Sequence, residues 1–105
     1  NRYYFVSNTI KRTYPDGLDI SIFSFNLLKK RWIQNKNKKE KEHVTPFMKK
    51  IDKHKIFNFE NNKDLSNYRW TLDNANDLKK IKKIFEKFKP DIYFSWKEIL
   101  LKGFK

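Results

Sequence analysis

Arg69-Trp70-Thr71-Leu72-Asp73-Asn74-Ala75-Asn76-Asp77-Leu78 joins an alternating run to an amphipathic one, a junction from strand to helix within this 105-residue chain. Strand side chains alternate, so Tyr68, Trp70 and Leu72 fall on one face while Arg69, Thr71 and Asp73 fall on the other. One face can be buried and the other can do chemistry. Ligands of open α/β sheets gather beyond the carboxyl ends of strands, which is where Asp73 is expected to sit.

Beyond the junction, Leu78, Ile81, Ile84, Phe85 and Phe88 trace one face of a helix. Asn74 is its expected N-cap, with Asp77 in the first turn complementing the helix dipole, and Pro90 stops it. Ser95-Trp96-Lys97-Glu98 matches a capping box and opens a last helix that ends near Gly103.

Upstream of the junction, residues 1–6 read as a strand broken at Ser7-Asn8-Thr9, and Pro15-Asp16-Gly17 as a turn, Pro presetting one dihedral and Gly accepting positive φ. A second strand runs from Leu18 to Phe23, with Leu18, Ile20 and Ile22 on one face and Asp19, Ser21 and Phe23 on the other. Ser24 caps a helix carrying Phe25, Leu28 and Trp32, followed by a basic loop over residues 35–39. Thr45-Pro46 opens a short helix with Phe47, Met48 and Ile51, and residues 55–60 give a third strand. Strands alternating with helices, without internal repeats, favour a layered α/β or α+β domain. Four short strands are few for a parallel sheet.

The length allows one domain at most. Apolar residues make up 38% of the chain and aromatics 17%, so Phe, Tyr and Trp supply much of the burial. No run approaches the apolar length of about 18 residues that spans a bilayer, and the start Asn-Arg-Tyr-Tyr-Phe has no signal-peptide layout and no Met. The expectation is a cytoplasmic protein, without membrane partners, whose beginning lies elsewhere. The chain has no cysteine, which removes disulfides and thiolate metal sites, and His43 and His54 have no partners at zinc spacing. The net charge of +13 invites an acidic partner. Against a nucleic-acid module, 21 of the 25 basic residues are dispersed Lys and only four are Arg, which a general lysine bias also explains.

Candidate functional residues are few. Asp73 reads either as a helix cap or as a ligand of Mg²⁺, which keeps several waters and bridges carboxylates to phosphates. Arg12 and Arg69 offer the two-pronged guanidinium that grips phosphate or carboxylate, or else pair with surface acids. Asp16 serves the turn, whereas Asp19 is better placed for a substrate hydroxyl. His43 precedes a helix N-cap, where a ring nitrogen meets either a polar substrate or solvent. There is no glycine-rich phosphate loop and no catalytic triad.

Four motifs in register tie these residues together: Ser7-Asn8-Thr9, Arg12-Thr13-Tyr14-Pro15-Asp16-Gly17-Leu18-Asp19, Glu42-His43-Val44-Thr45-Pro46-Phe47 and Arg69-Trp70-Thr71-Leu72-Asp73. From Tyr4 to about Leu101 the chain resembles the C-terminal half of the cytidylyltransferases of spore-coat polysaccharide biosynthesis, relatives of the CMP-sugar synthetases. The resemblance implies the C-terminal part of a Rossmann-like, GT-A-like α/β/α sandwich. It also implies transfer of CMP from CTP to a sugar or sugar acid, with Mg²⁺ and release of pyrophosphate. In this family an N-terminal loop holds the nucleotide, and an Asp of that half shares the metal with the position matched by Asp73. Neither is present among these residues, so the resemblance implies no turnover from this chain alone. Arg12, Asp16, Asp19, His43 and Arg69 match the substrate side, and a homodimer is compatible with the family. Ser21 departs from the Glu usual there, and Asn74-Ala75-Asn76 from a more acidic, proline-containing helix opening.

Overall fold

A computed structural model of the chain describes residues 4–35, 38–43 and 53–105. The centre is β1, Phe5–Ser7, in a three-stranded sheet of order β2-β1-β3. β2, Ser21–Phe23, runs antiparallel to β1 with Phe5 opposite Phe23, and β3, Ile56–Asn58, runs parallel to β1 with Phe5 opposite Ile56. This mixed α/β arrangement agrees with the layered architecture expected from the sequence.

Alternation assigns the two sheet faces. Phe5, Phe23 and Ile56 share one, and α1, Phe25–Gln34, covers it with Leu27 and Leu28. Phe5 is fully buried, and its ring stacks on Phe23 with centroids 6.0 Å apart. The other face carries Val6, Ile22 and Phe57, of which Ile22 is 63% exposed. The α1 start follows from sequence: Ser24 Oγ accepts the Leu27 N–H at 3.1 Å.

Residues 8–20 connect β1 to β2 and are stitched down by the small polar side chains of the first motifs. Asn8 donates through Nδ2 to the Leu18 carbonyl at 2.8 Å and accepts the Ile20 N–H through Oδ1 at 3.0 Å. Ser7 Oγ lies 3.0 Å from Ser21 Oγ, so the departure at Ser21 is a half-buried hydrogen-bonding position in this chain. Thr13 ties the loop to the other side, its hydroxyl accepting the Asn61 N–H at 2.8 Å and its carbonyl the Leu65 N–H at 2.9 Å. Tyr14 wedges edge-on against Phe59 and Trp96.

Two long-expected helices form as read. Ala75–Phe88, here α3, starts at Asn74, whose Oδ1 accepts the Asp77 N–H at 2.9 Å. Trp96–Leu101, here α4, has the full capping box: Ser95 Oγ accepts the Glu98 N–H, and the Glu98 carboxylate accepts the Ser95 N–H at 2.7 Å. The Ser95 N–H, foremost, and the Ser95 hydroxyl, which reaches the same carboxylate oxygen at 2.8 Å, hold the Glu98 carboxyl below its usual pKa. Phe94 packs α4's leading segment onto α3 through Phe85 and Phe88.

Several expectations are corrected. The expected fourth strand is absent: Arg69 makes a single parallel bridge to Asp16, with the Asp16 N–H on the Tyr68 carbonyl and the Trp70 N–H on the Asp16 carbonyl, each at 2.8 Å. The turn explains why pairing stops there. Pro15 has no N–H to donate, and Gly17, at φ 111°, turns the chain away. The second strand starts at Ser21 instead of Leu18, leaving Asp19 in the preceding loop, and the third shortens to Ile56–Asn58. Ser7 lies inside the first strand, not at its break. The basic loop expected over residues 35–39 is cut short by a five-residue helix, Lys38–Glu42, which is α2. The helix expected from Thr45-Pro46, with Phe47, Met48 and Ile51, lies outside the described residues. Among the described residues, no helix is long and apolar enough to cross a membrane.

Candidate functional site

The bridge between Asp16 and Arg69 brings the second and fourth motifs together. Alternation survives in the extended segment without a strand: the Arg69 and Thr71 side chains both reach Asp77 in the first turn of α3 and the Asp73 side chain reaches Arg69, while Tyr68 and Trp70 contact each other. Gly17 is required at this crossing. A Cβ built there falls 2.6 Å from the Trp70 carbonyl oxygen, and the positive φ already disfavours any other residue.

Arg69 is the hub. Its Nε donates to Asp77 Oδ1 at 3.2 Å and its Nη2 to Asp77 Oδ2 at 2.9 Å, a side-on two-pronged pair. Nη2 also reaches Asp73 Oδ2 at 3.1 Å, and Nη1 reaches Asp16 Oδ2 at 3.2 Å. Lys80 Nζ donates to the Arg69 carbonyl at 2.8 Å. The hydrogen bond to Asp77 leads the causes that raise the Arg69 pKa.

Arg12 extends the network. It grips Asp19 end-on, Nη1 to Oδ1 at 2.6 Å and Nη2 to Oδ2 at 2.8 Å, and lies 3.5 Å from Asp16 Oδ1. The Asp19 hydrogen bond raises the Arg12 pKa. Asp16 thus stands between two guanidinium groups, and charge alternates continuously from Asp19 to Asp73.

Five of the six residues singled out from sequence therefore converge: Arg12, Asp16, Asp19, Arg69 and Asp73. His43 does not join them. It is exposed after α2 and makes no hydrogen bond or ion pair with those five. The cap reading of Asp73 is also settled, because Asn74 caps α3 and the Asp73 side chain stays 70% exposed.

Sequence reasoning left out the residue that organises the cluster. Asp77, read only as a first-turn helix residue, has a side chain 6% exposed. Beyond Arg69, it accepts the Asp73 N–H at 3.0 Å and the Thr71 hydroxyl at 3.3 Å, both through Oδ2. Arg69, foremost, and the Asp73 N–H hold its pKa down to about 2. The signal was in the spacing: Arg69, Asp73 and Asp77 recur every four residues, and Asp77 is third after the Asn74 cap.

What the cluster offers a ligand is carboxylate oxygen, since both guanidinium groups are already committed to Asp partners. Among the described residues no group of three His, Cys, Asp or Glu is arranged to enclose a metal ion. Asp73 nevertheless fits a cation that needs few protein ligands: it is exposed, anchored through Oδ2, and has Oδ1 without a partner among the described residues. Mg²⁺ has that requirement, keeping several waters and taking one or two carboxylates.

No family model and no curated protein matches the chain. Among solved structures, it is similar to a cytidylyltransferase from Leptospira borgpetersenii serovar Hardjo-bovis (strain JB197), at 30% sequence identity and a TM-score of 0.83. The match covers 97% of this chain and 43% of that one, so the chain spans under half the length of the enzyme it resembles.

Proposed function

We propose that this chain is the acceptor side, with one metal-ligating position, of a cytidylyltransferase that transfers CMP from CTP to a sugar or sugar acid for surface glycan synthesis. The observation that carries this reading is the match to a solved cytidylyltransferase along nearly the whole chain at 30% identity. Because the match spans 43% of that enzyme, the proposed activity belongs to a longer polypeptide that also carries a nucleotide-binding segment.

Within that reading, Asp73 presents Oδ1 to Mg²⁺, and Asp16, Asp19 and Arg12 form the surface against which the acceptor hydroxyls are held. A Mg²⁺ ion held by Asp73 would supply positive charge against the phosphate oxygens during transfer. Arg69 fixes Asp73 and Asp16 relative to each other, which orients a bound acceptor with respect to the cation. His43 stays a candidate acceptor contact from the family resemblance alone.

The rival reading, a basic nucleic-acid-binding module, rests on the +13 charge. The cluster does not favour it, since Arg12 and Arg69 are engaged by carboxylates. The test is CTP-dependent pyrophosphate release by the longer polypeptide across a panel of sugars and sugar acids. Release that requires both CTP and one acceptor class supports the proposal; no release with any acceptor, alongside steeply salt-dependent binding of single-stranded nucleic acid, overturns it.

A further inference from the structure

We infer that Asp77 is a positioning residue for Asp73, holding that carboxylate in place for a divalent cation by way of Arg69; this rests on the cytidylyltransferase reading of the site. Asp73 is the most exposed carboxylate of the cluster, and a free Asp side chain on the surface samples several rotamers. Two bonds restrain it. Its main-chain N–H is held by Asp77 Oδ2 at 3.0 Å, and its Oδ2 by Arg69 Nη2 at 3.1 Å.

Both restraints lead back to Asp77. The guanidinium can place Nη2 between two carboxylates because its Nε–Nη2 edge is locked against Asp77, at 3.2 and 2.9 Å. Asp77 is itself immobilised, sitting almost fully buried in the first turn of α3, its carboxylate accepting the Thr71 hydroxyl and the Asp73 N–H and its own N–H donating to Asn74 Oδ1. Without the Asp77 charge, Arg69 keeps its Nη1 contact to Asp16, and its plane is free to turn about that contact. Asp73 Oδ2 then loses its anchor, and a cation at Oδ1 must order the side chain at its own expense.

Asp77→Asn is the test, because the amide keeps the size and can still accept the Asp73 N–H while the negative charge that holds Arg69 is lost. Mn²⁺ binding to the longer polypeptide, followed by electron paramagnetic resonance, reads the cation directly and needs no turnover. The expected result is Mn²⁺ affinity weakened about tenfold, as when the residue orienting a metal ligand is removed. Arg69→Met should weaken it by a similar factor, and the double variant no further, since both substitutions break one chain of contacts. Should Asp77→Asn fail to fold, Arg69→Lys carries the test, keeping the charge but not the fork, with the same expected weakening. Unchanged Mn²⁺ affinity in the folded Asp77 variant, or in Arg69→Lys where that is the variant used, overturns the inference when Asp73→Asn abolishes binding, as do losses that multiply in the double variant. If Asp73→Asn binds Mn²⁺ like the wild type, the metal reading itself fails, and this inference with it.

Discussion

Arg69 and Asp77, eight residues apart, meet along a whole guanidinium edge, Nε to Oδ1 at 3.2 Å and Nη2 to Oδ2 at 2.9 Å, with Asp77 almost fully buried. The pair fastens the extended segment 69–73 to the first turn of α3 where no strand pairing does so. Such a pair makes stability depend on acid. Asp77 has its folded pKa lowered from 3.8 to about 2, so between these values the unfolded chain binds more protons than the folded one. The stabilisation is fully present above the unfolded value and is lost as pH falls through the folded one. Denaturant midpoints of wild type and Asp77→Asn should therefore converge as pH is lowered from about 4 to about 2. A gap that stays constant over this window counts against the pairing.

Gly17 should not tolerate a methyl group. Gly17→Ala drives Cβ to 2.6 Å from the Trp70 carbonyl oxygen at a φ of 111°, both of which oppose it. We expect a loss of about 2–3 kcal/mol. Gly103 also has positive φ, yet a Cβ there meets nothing within 4 Å, so Gly103→Ala should cost about 1 kcal/mol. Equal losses in urea unfolding would show that the approach of Trp70 to the turn is not as tight as described.

The two faces of the sheet should respond unequally. Phe5→Ala empties a fully buried position stacked on Phe23 and should cost about 3–5 kcal/mol. Ile22, next to it across the strands but 63% exposed, should lose no more than about 1 kcal/mol on truncation to Ala in this chain. Comparable losses at the two positions would reverse the assignment of the faces.

Three of the helices were legible because their caps and their apolar stripes agree: Ser24, Asn74 and Ser95 each accept the N–H three residues on, whereas the lysine-rich α2 carries no such signal. The strands were less so. Local alternation gave the parity of each side chain, but strand length is set by partners far away in sequence. The alternating run 68–72 met Pro15 and Gly17 instead of a strand and stayed a single bridge. The same limit applied at the site. Arg12, Asp16, Asp19, Arg69 and Asp73 were found by residue type and motif, whereas the four-residue spacing of Arg69, Asp73 and Asp77 marks Asp77 as a neighbour but its role depends on Arg69 turning toward it.

Asp19 should act on the acceptor and not on the nucleotide. In the longer polypeptide, Asp19→Asn weakens the grip on Arg12, 2.6 and 2.8 Å in this structure, and removes a charged acceptor of hydroxyl protons. We expect the KM for the sugar to rise about tenfold while that for CTP stays within twofold, the size expected for one charge-assisted hydrogen bond. A matching rise in the KM for CTP would move Asp19 off the acceptor surface.

On the proposed reading Asp73 serves a metal and not the fold, and the turnover of Asp73→Asn in the longer polypeptide, measured beside its thermal midpoint, separates these two roles. The side chain is 70% exposed and makes one described contact, to Arg69, so the midpoint should move by no more than about 2 °C. Turnover should fall by more than about 100-fold, the scale of removing a group that stabilises charge in the transition state. Near-normal turnover with an unchanged midpoint would contradict the metal role of Asp73.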